Sequence, residues 1–399
     1  MRVSFGPTCI LQISPADKGH NLFQKRLKVQ FLKFDLLYTA YAKSWAQVIK
    51  TKTCMATINS LLTILLLIVS STTILGQQSR IGIIDFYGTN NNETELRKCL
   101  PFIENDSVQF LTESSYPKAK KAIVECLLRQ STIKQADISF VCCVEKEGKW
   151  IVFVGVDTKS KDASLKTMTN DVKLPAEMKN TYDSLMKLLM IAIQKGESTE
   201  NDSNGHSIMT YLPAQQLQKK FIIYANENLS LLKEVLKSSK HADQRQVAAT
   251  VIAYYHDKTD IIDDLLGAVT DPDEHVRNNA VRAIGIIVNY SQNNPDLKIQ
   301  IPADPFIDML NSISWTDRNK SSFVLLSLTL NRDKRLLNQL KEQALKPIVD
   351  MAKWKSAGHS MPGFVMLGRI AEWSDKEIMD GLNGDKKEAI NKMLVKINN

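Results

Sequence analysis

Three stretches in the C-terminal half of this chain carry one pattern in one register. Arg245-Gln246-Val247-Ala248-Ala249-Thr250-Val251 lines up with Arg277-Asn278-Asn279-Ala280-Val281-Arg282-Ala283 and with Arg318-Asn319-Lys320-Ser321-Ser322-Phe323-Val324. The first offset is 32 residues and the second 41. Helical text recurring at this period predicts stacked helix pairs, in which each pair buries its apolar face only against its neighbours. Such an array presents a surface more often than it runs a reaction.

The middle copy is the sharpest. Asp271-Pro272-Asp273-Glu274 reads as a helix start, with Asp271 as the cap, Pro272 in the first turn and Glu274 three residues on. Val276, Ala280, Ala283, Ile284 and Ile287 then recur at spacings of three and four. Ile261, Ile262, Leu265, Leu266 and Val269 form a shorter helix upstream, so the two make an antiparallel pair joined at Thr270-Asp271.

The string Asp271-Pro272-Asp273…Val276-Arg277…Ala280…Ala283-Ile284-Gly285 resembles the HEAT-repeat family, including its bacterial HEAT-like form. The resemblance spans roughly residues 215–399, although Ser239-Lys240-His241 and Ser321 depart from it. It implies an all-α solenoid in which an Asp and an Arg tie neighbouring repeats together. It also implies that the second helix of each pair lines an inner, partner-binding face. Gln246, Asn278 and Asn319 occupy equivalent positions there, as do Thr250, Arg282 and Phe323. These six are the expected protein-binding residues, with a plain solvated face as the alternative.

The rest of that half fits. Leu336, Leu337, Leu340, Ala344, Leu345, Ile348, Val349 and Ala352 predict a long amphipathic helix. Phe364, Leu367, Gly368, Ile370 and Ala371 follow Gly358 and Pro362. A charged helix over Lys386–Ile397 would cap the stack, giving four to five helix pairs in all.

The first 76 residues read as a leader. Residues 61–69 are apolar except Thr63, and no charge falls between Met55 and Gln78. That core is short for a membrane span and suits a secretory signal over 55–76, with the small residues Ser70, Ser71, Thr72, Thr73 and Gly76 before a mature start near Gln77. Residues 1–54 precede it unusually, and Met55 is the alternative start. They hold nine Lys/Arg against two Asp, net +7 of the chain's +8. The remainder is therefore close to neutral, which argues against a nucleic-acid-binding surface. A membrane association is expected only if the signal segment stays uncleaved.

Residues 77–160 predict a small α/β domain in the order strand (Arg80–Gly88), helix (Glu93–Leu100), helix (Pro117–Leu128), strand (Ile138–Val144), strand (Trp150–Val156). This order, with Phe86-Tyr87-Gly88 and Leu96…Leu100-Pro101, resembles the POTRA module of envelope proteins. The resemblance implies partner binding by strand addition at an open sheet edge, unless charge and loops seal that edge. Residues 161–214 read as a linker with one helix around Tyr182–Ile193 and a mobile polar loop over Glu197–His206. The fold class is thus an α+β N-terminal module followed by a HEAT-like α-solenoid over 215–399.

Cys126 and Cys142 fall on apolar faces that meet when the helix covers the sheet, so they are the expected disulfide if the protein is exported; two packed thiols are equally consistent. Cys99 lies beside Leu96 and Leu100. The histidines show no ligand spacing, no Cys-x-x-Cys is present, and no nucleophile or phosphate-loop motif appears. No cofactor or metal is expected. The expected function is a non-enzymatic, exported protein-binding scaffold of the cell envelope, with an unidentified protein partner and no nucleic acid. The resemblance leaves two alternatives, an enzyme of the bilin lyase type and a DNA-binding HEAT-like protein.

Overall fold

The computed structural model describes residues 80–88, 93–108, 116–144, 149–159 and 167–399, and these lie in one compact unit. The leader, with both candidate start sites and the signal segment, falls outside the described residues.

The N-terminal module has the element order read from the sequence. Strand β1 (Ile81–Tyr87) is followed by helices α1 (Glu93–Arg97) and α2 (Tyr116–Leu128), then strands β2 (Gln135–Val144) and β3 (Lys149–Asp157). The sheet order is β1-β3-β2, with β3 parallel to β1 and antiparallel to β2. On one face Ile84, Ile138, Phe140, Val152, Val154 and Val156 pack under α1 and α2. The opposite face is also buried: Tyr87, Val141, Ile151 and Phe153 join the core of the helical array. A strand covered on both faces needs apolar side chains at every position, and β3 is an unbroken apolar run from Trp150 to Val156 apart from Gly155.

A disulfide joins Cys99, just beyond α1, to Cys126 in α2. This replaces the expected Cys126–Cys142 pair. Helix α1 ends at Arg97, so Cys99 sits in the turn that brings the chain over α2 rather than on a helix face.

The stretch expected as a linker is ordered. Helix α3 (Ala176–Lys195) is ended by Gly196 in the left-handed conformation (φ 69°), and a two-stranded hairpin, β4 (Glu200–Asn201) with β5 (Ile208–Met209), stands where a mobile loop was expected. Its end is anchored by burial of His206 and Ser207.

Helix α4 (Leu212–Glu227) opens the helical array. Five helix pairs follow: α5 (Leu229–Ser238) with α6 (Ala242–Val251), α7 (Ile262–Ala268) with α8 (Glu274–Asn293), α9 (Asp304–Leu310) with α10 (Trp315–Leu328), α11 (Lys334–Lys353) with α12 (Ala357–Ile370), and α13 (Asp375–Asn383) with α14 (Lys386–Asn398). The second helices α6, α8, α10 and α12 stack side by side in that order. Val276, Ala280, Ile284 and Ile287 are fully buried, as their spacing predicts. Helix α12 starts at Ala357 and runs through Pro362, seven residues earlier than its apolar pattern suggests. It crosses α11 so closely that a Cβ at Gly363 would stand 2.7 Å from the Met351 side chain and 2.8 Å from the Ala352 amide nitrogen. Helix α14 closes the stack with Ala389, Ile390, Met393 and Ile397 inward and Lys387, Lys392 and Lys396 outward, while Lys386 turns in to the Trp354 carbonyl.

Candidate functional site

The starts of the second helices form a strip along the array, and the first three, those of α6, α8 and α10, are built the same way. Arg245 donates to the Ser239 carbonyl, Arg277 to the Asp271 carbonyl and Arg318 to the Ser312 carbonyl, in every case six residues back, at 2.6–2.8 Å. Each arginine thus ties the start of its helix to the turn before it. Each then reaches a carboxylate of the next repeat: Arg245 to Asp271 at 2.7 Å, Arg277 to Asp317 at 2.9 Å, Arg318 to Asp350 at 3.7 Å. The expected inter-repeat role of Arg and Asp is therefore present three times.

One local assignment changes. The cap of α8 is Asp273, whose carboxylate accepts from the His275 and Val276 amides. Asp271 sits two residues earlier and spends its oxygens on Arg245 and on the Asp273 amide. One acidic residue closes the helix, which frees the other to hold the neighbouring repeat.

The residue after each arginine was expected to face a partner. It faces the next repeat instead. Gln246 donates to Asp273 at 3.1 Å, Asn278 accepts from Thr316 at 3.0 Å, and Asn319 contacts the His359 ring nitrogen Nδ1 at 3.2 Å. All three are buried. A first-turn side chain beside the inter-repeat arginine points at the adjacent helix start, so this polar row is a second ladder and not a free surface. The remaining three are also engaged. Thr250 bonds back to the Gln246 carbonyl, Arg282 pairs with Glu200 of the β4–β5 hairpin, and Phe323 is half-buried against the core.

The chain's own N-terminal part covers the strip. At α6, an extended segment runs along the preceding turn. Asn170 bridges to Ser239, the Ser239 hydroxyl donates to the Val172 carbonyl at 2.6 Å, and the Leu174 amide donates to Gln244 at 2.9 Å. At α8, Asn279 donates to the Tyr182 hydroxyl of α3 at 3.2 Å. At α10 and α12 the sheet takes over. Tyr87 donates to the Ile313 carbonyl at 2.6 Å. Phe153 sits among Trp315 (5.3 Å, stacked), Trp354 (4.8 Å) and the edge of His359 (5.5 Å). The Arg318 guanidinium lies over the Tyr87 ring at 4.5 Å. Beyond this knot, the Asp85 carboxylate accepts from the Lys355 amide at 3.1 Å, and the Gly88 amide donates to Asp350 at 3.2 Å.

Burial shapes the ionisation of this contact. It pushes the Asp85 carboxyl up to about 6, against the lowering pull of the Lys355 amide and ammonium. It holds His359 down at about 4, with help from Lys320, so the ring is neutral at pH 7. It lowers Arg318 and raises Tyr87 well above its ordinary range. On strand β2 the Tyr116 hydroxyl meets the Phe140 backbone, and Asp137 is held by Lys120 at 2.8 Å. Among the described residues no group of His, Cys, Asp and Glu is placed to hold a metal ion.

This stacking of helix pairs, bound by an Arg–Asp ladder, is matched in sequence. Residues 229–304 match the family model for HEAT repeats. The HEAT match covers α5 through the start of α9, which includes the first rung, Arg245–Asp271, and the arginine of the second. Among curated protein sequences nothing matches the chain. The similar solved structures include two designed proteins. One is the designed armadillo repeat protein YIII(Dq)4CqI, at 14% identity over 47% of this chain and 94% of that one, with a TM-score of 0.31. The other is the designed armadillo repeat protein YIII(Dq.V1)4CPAF in complex with peptide (KR)4, at 14% identity over 56% and 100%, with a TM-score of 0.33. The POTRA resemblance of the module is not shown by these comparisons.

Sequence reasoning missed the aromatic knot of Tyr87, Phe153, Trp315, Trp354 and His359. The signal was the uninterrupted apolar run of β3, which already required a second covering layer.

Proposed function

We propose that this protein is a non-enzymatic scaffold that is exported to the cell envelope and holds a protein partner. The observation that supports the scaffold reading is the use made of the recurring polar residues. Arg, Asp, Gln and Asn at the helix starts are bound to one another, to the neighbouring helix start or to the chain's own N-terminal part, so their chemistry goes into a stiff platform. The Cys99–Cys126 disulfide supports export, because such bonds persist in oxidising compartments. The apolar segment at 61–69 fits the signal that would direct it there. With the second-helix strip covered, the partner is expected on surfaces that remain open, such as the outer face of α4, where Leu212 and Ile223 are 66% and 54% exposed.

The test is made on the protein in its native cell. N-terminal sequencing reports export, with a start near Gln77 expected. A photo-crosslinker at Ile223 is expected to capture one protein reproducibly, and the same probe buried at Asn319 is expected to capture none. Copurifying pigment, or a salt-dependent shift of DNA by the purified protein, would overturn the scaffold reading in favour of a lyase or a DNA-binding protein.

A further inference from the structure

We propose that the small cavity beneath the β4–β5 hairpin is a binding site for a single halide-sized anion. The cavity measures about 30 Å³ and is lined by Gly205, His206, Ser207, Thr250, Tyr254, Asn279 and Arg282, with an apolar floor of Ala253, Ala283 and Ile286. That is room for one monatomic ion or a pair of waters. Ser207 is 3% exposed, and its hydroxyl has no hydrogen-bond partner although it lines this space. A buried hydroxyl without a partner marks a position where an acceptor is missing.

The charges around the cavity favour an anionic acceptor. Arg282 is matched by Glu200, which lays both carboxylate oxygens on one guanidinium nitrogen, so that pair is neutral as a unit. Lys258 has no such match. It is 3% exposed, and its ammonium donates to the Ala253 and Tyr255 carbonyls at 2.8 and 2.5 Å. Among the described residues no carboxylate makes a salt bridge with it; the adjacent Asp257 is turned to the Thr259 amide and hydroxyl and attracts it only from a distance. The His206 ring stands between this ammonium and the cavity, with Nδ1 3.5 Å from Nζ. The other groups facing the space are uncharged. Tyr254 is occupied between the Gln218 amide and the Ser207 carbonyl, and Asn279 between Tyr182 and the Gln246 carbonyl. A buried cation without a counter-charge is costly. Burial accordingly pulls Lys258 down to about 8, against the raising pull of Asp257, and burial with the neighbouring lysine pulls His206 down to about 4. An anion accepting from the Ser207 hydroxyl would supply the missing acceptor and the missing charge together. It would also fasten the hairpin onto α6 and α8.

The test uses the full chain. Thermal melts are run at one ionic strength in sodium chloride, sodium bromide and sodium gluconate, the last being too large for the cavity. The melting temperature is expected to rise by about 2 °C in 0.1 M halide relative to gluconate, and to saturate with halide concentration. Ser207→Ala and Lys258→Met are expected to abolish the difference between salts, whatever they do to the melting temperature itself. A crystal grown in bromide should show anomalous scattering within hydrogen-bonding distance of Ser207 Oγ. Identical melts in halide and gluconate, a halide effect that survives both substitutions, or a cavity holding water alone in the bromide crystal would each overturn the proposal. Should Lys258→Met fail to fold, Ser207→Ala and the bromide crystal decide it.

Discussion

Arg245 holds Asp271 through two hydrogen bonds of 2.7 and 2.9 Å, and both side chains are almost fully withdrawn from water, at 3% and 1% exposure. The pair joins one repeat to the next, and Arg277 with Asp317 repeats it. A buried pair of this kind is worth little against a well-packed apolar pair, because both ions lose their hydration. Breaking it from one side is a different matter, because the remaining charge stays buried. Asp271→Ala is expected to cost about 3–5 kcal/mol, and Arg245→Met with Asp271→Leu together much less than the sum of the single changes. Chemical denaturation of the two single variants and the double variant checks this. Additive losses would show that the two residues do not act as a pair.

The contact between sheet and array depends on the absence of a side chain at residue 155. A Cβ there would stand 2.3 Å from the Ile313 carbonyl oxygen and 2.8 Å from the Tyr87 ring. Backbone cannot yield as a side-chain tip can. Gly155→Ala is expected to cost about 2–3 kcal/mol and to loosen the stacking of Phe153 on Trp315. Near-ultraviolet circular dichroism and denaturant unfolding report the two effects. A variant with parent-like stability and aromatic signal would mean that the sheet does not seat against α10 as described.

The repeat ladder was legible because it is periodic: Arg245, Arg277 and Arg318 announce themselves by register. The partner face drawn from the same register was not legible. Gln246, Asn278 and Asn319 are polar, equivalent and off the apolar stripe, and those facts fit an outward row as well as an inter-repeat one. Only the position of the next helix start, with Asp273, Thr316 and His359 waiting there, separates the two. The module's order of elements was legible from alternation and turn residues. Its burial against the array was visible only as the apolar run of β3, which a two-layer reading left unexplained. The disulfide was misassigned because Cys99 was placed on a helix that ends two residues before it.

Peptide mapping under non-reducing conditions is expected to recover Cys99 linked to Cys126. Closing a loop of 27 residues removes unfolded-state freedom worth about 3–4 kcal/mol, so reduction should lower stability by roughly that amount. Denaturation with and without reductant measures it. A link from Cys126 to Cys142 would restore the pairing expected from sequence and contradict the packing of α1 on α2.

Arg282→Glu separates two roles for one residue. As a partner contact, Arg282 would be replaced with little change in stability. As the clip to Glu200, its reversal places two carboxylates together in a half-buried site. The variant is expected to lose about 1–3 kcal/mol, with protease sensitivity appearing first in the hairpin over 197–210. The charge-swapped variant carrying both Arg282→Glu and Glu200→Arg is expected to regain part of the loss. Parent-like stability of Arg282→Glu alone would return the residue to the candidate binding surface.

Acid titration draws on three buried groups whose signs differ. His206 and His359 are held at about 4, below the ordinary 6.5 of a histidine. Their contribution to stability is complete above 6.5 and is lost as pH falls from 6.5 toward 4, because the unfolded chain takes up protons that the folded one refuses. Asp85 runs the other way. Its carboxyl is raised to about 6 from 3.8, so the folded state binds a proton first, and stability is gained as pH falls through 6. Between pH 7 and pH 5 each histidine is expected to cost about 2 kcal/mol and Asp85 to return about 1 kcal/mol. The histidines win, and the protein is expected to be about 2–3 kcal/mol less stable at pH 5 than at pH 7. His206→Gln with His359→Gln should reverse the trend, leaving a chain slightly more stable at pH 5 through Asp85. Denaturant midpoints of parent and double variant across this range decide the matter. A parent whose midpoint rises on acidification would show that the two rings are not buried in their neutral form.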